Sequence, residues 1–258
     1  ADLTQFAATL RVANRLTDAE SLCRQALDLA RRGVGAQHPK TALAAHHLAG
    51  VLEAAHRPRE AERLYREALE IEERAFGLDH PRLAGRLYHL ALVLAGLGRL
   101  DEAELHFRRG LAIDEEQLGP DSPDLAPVLS ELAGLLEDQG QLAAAEPLYR
   151  RALKMHERAD GPDHAESALA ASNLGQLLEA RGELEAARTL YEQTATTLFA
   201  QTRRLRGPHP HLRSALQNLA RAMSGLGWSE WEVNAEVTKY EVLVLKRERS
   251  KWDDEAGA

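Results

Sequence analysis

Residues 47–81 read HLAGVLEAAHRPREAERLYREALEIEERAFGLDHP, and the chain then says nearly the same thing again. Residues 89–123 read HLALVLAGLGRLDEAELHFRRGLAIDEEQLGPDSP, and residues 131–165 read ELAGLLEDQGQLAAAEPLYRRALKMHERADGPDHA. The dipeptides that punctuate these copies, His38-Pro39, His80-Pro81, Ser122-Pro123 and His164-Ala165, stand 42 residues apart, and His209-Pro210 follows after 45. A period this strict marks a repeat array, in which each unit can bury its apolar face only against its neighbours.

One copy suffices to read the architecture. Leu48, Ala49 and Leu52 recur at the spacing of a single apolar helical stripe. After a break at His56-Arg57-Pro58 comes a second stripe, Ala61, Leu64, Tyr65, Ala68 and Ile71. Pro58 suits the first helical position, where its missing N–H has no partner to lose, and Gly77 is free to take the left-handed cap. Each copy is therefore helix A, tight turn, helix B, loop. The A stripes begin at Leu48-Ala49, Leu90-Ala91, Leu132-Ala133, Leu174-Gly175 and Leu219-Ala220. Helix B carries a small residue at Ala19, Ala61, Ala103, Ala145 and Ala187, and a plug four residues later at Cys23, Tyr65, Phe107, Tyr149 and Tyr191. The turn between A and B holds Gly98, Gly140, Gly182 and Gly227, with His56 standing in once.

This pattern resembles the tetratricopeptide repeat, and its 42-residue period with Gly77-Leu78-Asp79-His80-Pro81 resembles the kinesin light chain subtype. The resemblance runs over roughly residues 1–227. It implies an all-α fold, a right-handed α–α superhelix of about six helix pairs with a long C-terminal capping helix. One solenoid is expected over residues 1–250, with repeats at about 1–37, 38–79, 80–121, 122–163, 164–208 and 209–250 and a charged tail at 251–258. The expected function is non-catalytic: an adaptor or scaffold that binds a peptide or partner domain in a concave groove, within a bacterial regulatory system.

Composition narrows the partner class. The 258 residues carry 32 Lys and Arg against 40 Asp and Glu, a net charge of −8, which disfavours nucleic acid or an anionic membrane surface as main partner. No apolar run approaches the roughly 18 residues of a membrane span. The single cysteine, Cys23, cannot close an internal disulfide, which suits a reducing, cytoplasmic setting.

The side of helix A turned away from helix B is the face the resemblance assigns to the groove. Repeat by repeat it carries His46, His47, Tyr88, His89, Glu131, Asn173, Gln176, Asn218 and Arg221. Asn173 and Asn218 match the groove asparagine of kinesin light chain-like repeats. The family's groove takes acidic peptides and needs a basic lining, whereas Glu53, Glu131, Glu137, Asp138 and Glu179 make this one acidic. A basic or polar peptide fits it better. Gly50, Gly85, Gly96 and Gly134, on or beside this face, call for close approach, of a ligand backbone or of a stacked helix.

Chemistry beyond binding finds little support. His38, His80, His164 and His209 repeat with the loops and are expected to cap the next helix. His46, His47 and His89 could meet on adjacent A helices, which with Tyr88 gives the alternative of a small-ligand or metal sensor. No H-E-x-x-H or C-x-x-C motif supports a metal, and no cofactor is called for. Cys23 stands at a plug position and is expected to be buried. Arg203-Arg204-Leu205-Arg206 suits a helix C-terminus. Ser229 and Glu232 form a capping-box pattern for a helix running to about Lys251. Trp228, Trp231 and Trp252 near that end either plug the last layer or form a self-association surface.

Overall fold

The computed structural model describes residues 10, 11, 13, 15–202 and 209–240. All regular structure among them is helical: α1 (Leu16–Gly33), α2 (Pro39–Ala54), α3 (Pro58–Phe76), α4 (Arg82–Gly96), α5 (Leu100–Leu118), a 3-10 turn at Pro123–Leu125, α6 (Ala126–Asp138), α7 (Leu142–Asp160), α8 (Ala165–Ala180), α9 (Leu184–Thr202) and α10 (Leu212–Gly225). Residues 230–240 form α11. The chain divides into two compact units, Ala1–Val128 and Leu129–Ala258, the division falling inside α6. Arg203-Arg204-Leu205-Arg206, Trp252 and the tail at 251–258 lie outside the described residues.

In the first unit each A helix packs on the B helix that follows it, α2 on α3 and α4 on α5, and each B helix packs on the next A helix. The stripes expected from sequence are the core: Leu48, Ala49, Leu52, Ala61, Tyr65, Ala68 and Ile71 are buried, with Leu64 half-buried at the edge. Cys23 is buried in the same layer, and desolvation pushes its thiol up to about 11, so it stays protonated and inert. The second unit repeats the scheme, with α7 on α8, α8 on α9 and α9 on α10.

The loops do what their repetition suggested. The Nδ1 atoms of His38, His80, His164 and His209 each accept from the backbone N–H two residues on, at 3.0, 3.2, 3.4 and 3.3 Å. The A–B turn needs a left-handed residue: φ is 77° at Gly98, 75° at Gly140 and 81° at Gly182. His56 takes the same conformation at φ 57°, against the steric cost of its Cβ. The capping box forms: Glu232 accepts from the Ser229 N–H at 2.8 Å, and Ser229 Oγ accepts from the Glu232 N–H at 3.4 Å.

Two features were not anticipated. Glu72 of α3, fully buried, pairs with Arg86 of α4 at 2.8 Å, an ion pair inside the inter-repeat contact. At the opening of α3, Arg57 binds Glu60 and reaches Glu20 of α1 at 2.9 Å; Arg99 repeats this with Glu102 and with Glu62 at 2.5 Å. These forks sew successive B helices together. In the second unit the corresponding positions are Gln141 and Glu183, and Arg181 beside the latter joins Glu146 of α7 to Glu183 at the opening of α9.

Candidate functional site

The A helices put their apolar stripe against helix B, so the residues between stripe positions are left over for other work. In the first unit those of α2 and α4 converge. His46 of α2 is only 9% exposed and stands with ring centroids 6.1 Å from His47, 5.0 Å from Tyr65 and 5.0 Å from His89 of α4. Tyr65 and His89 stack at 5.8 Å. Burial, then the charge of Arg86, pulls His46 down to about 2, so the ring is neutral at any physiological pH. His89, whose outer edge is exposed, is also lowered, chiefly by desolvation. Together with Arg11, Gly50, Val51, Glu53, Ala54 and Leu92, these rings line a recess of about 570 Å³. A smaller one of about 300 Å³ shares Glu53 and Leu92 with it and extends to His56 and Pro58.

Tyr88 does not join this cluster. Its ring lies across Gly110 of α5, where an added Cβ would stand 2.4 Å from Tyr88 Cε1, and its hydroxyl donates to Asp114 at 2.7 Å. The residue is committed to its own helix pair. Gly110 is thus required by a side chain, as is Gly175, whose Cβ would meet Tyr191 Cε1 at 2.7 Å. Gly50 and Gly134 face the hydroxyls of Tyr65 and Tyr149 at 3.4 Å, while Gly85 and Gly96 have nothing within 4 Å. At Gly50 and Gly134 the near neighbour is thus a tyrosine hydroxyl of the same repeat, at ordinary contact distance for an added Cβ, and not a stacked helix.

In the second unit the A-helix face is built of amides and charges. Asn173 and Asn218 are half-buried, and Glu131 and Gln176 are exposed. Asn218 Nδ2 stands 3.5 Å from Ser172 Oγ, a long contact. Arg221 of α10 binds Glu179 of α8 through both oxygens, at 2.5 and 2.8 Å, which holds the Glu179 carboxyl below its usual range.

A motif that sequence reading missed recurs in both units. Tyr65 donates to Glu53 at 2.9 Å, Tyr149 to Glu137 at 3.2 Å, and Tyr191 to Glu179 at 2.8 Å, each pair separated by twelve residues. The signal was present: the repeat whose plug is Phe107 has Ala95 twelve residues earlier, and the one with Cys23 has Arg11. A buried phenol needs an acceptor, and a phenyl ring or a thiol does not. The three carboxylates differ in their surroundings. Desolvation raises Glu137, while its hydrogen bond to Tyr149 acts the other way.

At the C-terminal end Trp228 is 39% exposed and Trp231 77% exposed, so the last layer is not closed by Trp231. Val233 is buried there instead, and Tyr240 turns back to α9, edge-on to Phe199 at 5.8 Å and 3.2 Å from Thr196 Oγ1. Among the described residues, no three or more His, Cys, Asp or Glu side chains are arranged to hold a metal ion. No described helix is long and apolar enough to cross a membrane.

The family model described as tetratricopeptide repeat matches residues 1–74, 42–116, 83–157 and 124–198, overlapping windows that tile most of the chain. The chain belongs to the tetratricopeptide-repeat family. No curated protein matches its sequence. Similar solved structures include a kinesin light chain-type protein of nearly identical TPR-like repeats from Podosopora anserina, with a TM-score of 0.71 at 21% identity over 79% of this chain and 95% of that one. BtubC (BKLC) from P. vanneervenii matches with a TM-score of 0.68 at 22% identity, covering 93% and 92%. PilF of Pseudomonas aeruginosa matches at 0.63 and 18% identity, covering 95% and 89%. At these identities the likeness is one of fold, and it places this tetratricopeptide-repeat protein among kinesin light chain-like neighbours. Proteins of the family generally serve as scaffolds for other proteins.

Proposed function

We propose that this tetratricopeptide-repeat protein is a non-catalytic interaction module that holds a peptide segment of a partner along the A-helix faces. The observation that carries this reading is the division of labour on helix A. The stripe positions are used up in packing, whereas His47, Glu53, Glu131, Asn173 and Gln176 keep polar groups at least partly accessible. In the first unit they surround a recess large enough for a side chain. Hydrogen-bonding groups on rigid helices are what peptide recognition uses, because little ordering entropy is lost on binding. The partner suited to this lining is basic or polar, and a role in a bacterial cytoplasmic regulatory assembly accords with the net negative charge.

The test is selection of a random dodecapeptide library on the whole chain, followed by binding of the selected peptides to a Glu131→Arg, Asn173→Arg double variant and to a His47→Arg variant. Both sets lie off the packing stripe, so circular dichroism should be unchanged. Loss of about tenfold or more in affinity in either variant is expected. Peptides that bind parent and both variants equally would move the site elsewhere, to the B-helix side or the tryptophan end.

A further inference from the structure

We infer that Glu53, backed by Tyr65 and His46, is a subsite for an arginine side chain of the partner peptide. This rests on the interaction-module reading above and assigns the recess within it a ligand chemistry.

The molecule supplies its own template. At Glu179, Oε2 accepts from Tyr191 at 2.8 Å, and Arg221 from the next repeat completes the carboxylate, with Nε on Oε1 at 2.5 Å. The repeat alignment carries Arg221 back to Gln176, Gly134, Leu92 and Gly50. The residue that meets Glu53 from the next repeat is therefore Leu92, which can pack but cannot donate. Glu53 has the same start as Glu179, its Oε2 accepting from Tyr65 at 2.9 Å, and its Oε1 has no donor among the described residues. Where the second unit supplies a guanidinium from its own chain, the first unit supplies a recess of about 570 Å³.

The rest of the lining fits that occupant. His46, 9% exposed, lines the recess, and its buried Nδ1 has no hydrogen-bond partner, a costly state for a polar atom. Leu92, Val51 and Ala54 offer apolar surface for an arginine stem. The stacked rings of Tyr65 and His89 present a flat wall of the kind on which a guanidinium lies well. Gly50 keeps the approach to the Tyr65 hydroxyl open. Arg11 also lines the recess, so an acidic side chain is the rival that the experiment has to exclude.

The probe is Nα-acetyl-L-arginine amide, titrated into the whole chain with Nα-acetyl-L-glutamate amide as control, and read by NMR at the Tyr65, His46 and His89 side chains. Arginine amide should shift these signals with an affinity on the order of millimolar, the range for one side chain, and glutamate amide should not. Glu53→Gln, which still accepts from Tyr65, should weaken the response by about tenfold. Leu92→Arg, which copies the Arg221 arrangement, should do the same by occupying Glu53 from within. Glu137→Gln should leave it unchanged, and Arg221→Leu should add a second responding tyrosine at Tyr191. A recess that answers to glutamate amide, or an arginine response that survives both Glu53→Gln and Leu92→Arg, overturns the assignment. The library separates the two levels. Selected peptides with no dependence on an arginine refute the subsite and leave the module standing. A chain that binds the arginine probe at Glu53 but selects no peptide retains the subsite and refutes the module.

Discussion

Glu53 and Glu179 occupy the same position in two different repeats, each bonded to the tyrosine twelve positions on, and their surroundings differ. In the second unit a neighbouring arginine closes the pair. In the first unit the neighbour is Leu92, and the carboxylate opens onto a recess walled by histidines. The B-helix side differs at one contact. Both units are wired there, with Arg57 and Arg99 each forked between two glutamates in the first and Arg181 between Glu146 and Glu183 in the second, but the first unit also buries Glu72 on Arg86. Of the two corresponding contacts in the second unit, one has Leu198 and Ala215, both buried, and the other has His156 and Ala170. One backbone scheme thus accepts either ionic or apolar solutions at a given contact, and the choice decides which face retains unused polar groups.

The largest effect should come from breaking the ionic solution on one side only. Arg86→Ala strands a fully buried carboxylate and should cost about 3–5 kcal/mol, read as faster native-state hydrogen exchange in α3 and α4 with the second unit unaffected. Glu72→Leu with Arg86→Ala transplants the second unit's residues and should recover most of that loss. If the double variant is as unstable as the single, the two solutions are not interchangeable and the comparison fails.

Acid should act next most strongly, and on the first unit. His46 has its folded pKa pulled down to about 2, below its unfolded value. The unfolded chain therefore takes up a proton first as pH falls, and stability present above about pH 6.5 is lost below it. By pH 5 this amounts to about 2 kcal/mol. His46→Ser, which copies Ser172 at the corresponding position, should flatten the dependence in exchange experiments at pH 7 and pH 5. Glu137, whose folded pKa is raised, acts with the opposite sign: its contribution is present at low pH and fades as pH rises.

The smallest expected change sharpens the comparison at the turns. His56 alone among the non-glycine residues described holds a positive φ, where the other A–B turns use glycine. His56→Gly should stabilise the first unit by about 1 kcal/mol, visible as a higher urea midpoint. Gly140→Ala in the second unit should shift it the other way.

Much of the fold was legible because it rests on properties that a single residue carries. The stripes from Leu48 to Ile71 follow from helical period and the cost of wetting apolar surface. The turn glycines follow from the missing Cβ, and the His38 and His164 caps from recurrence at the start of each helix. The candidate site was legible only in part. His46, His47 and His89 were expected on one face and do meet. Tyr88, one residue before His89 as His46 is before His47, turned instead to Gly110 and Asp114, because a glycine on the facing helix makes room for its ring.

What the sequence determined by itself is the repeat, its helix pairs and the residues with nothing to do inside the packing. What only the tertiary structure decided is which of those residues find each other. Tyr65 reaches Glu53, Glu72 is buried on Arg86, and Arg221 but not Leu92 closes a carboxylate. The reason is physical: periodicity sets the face a side chain starts from, but hydrogen bonds and ion pairs form across helices, over distances set by packing.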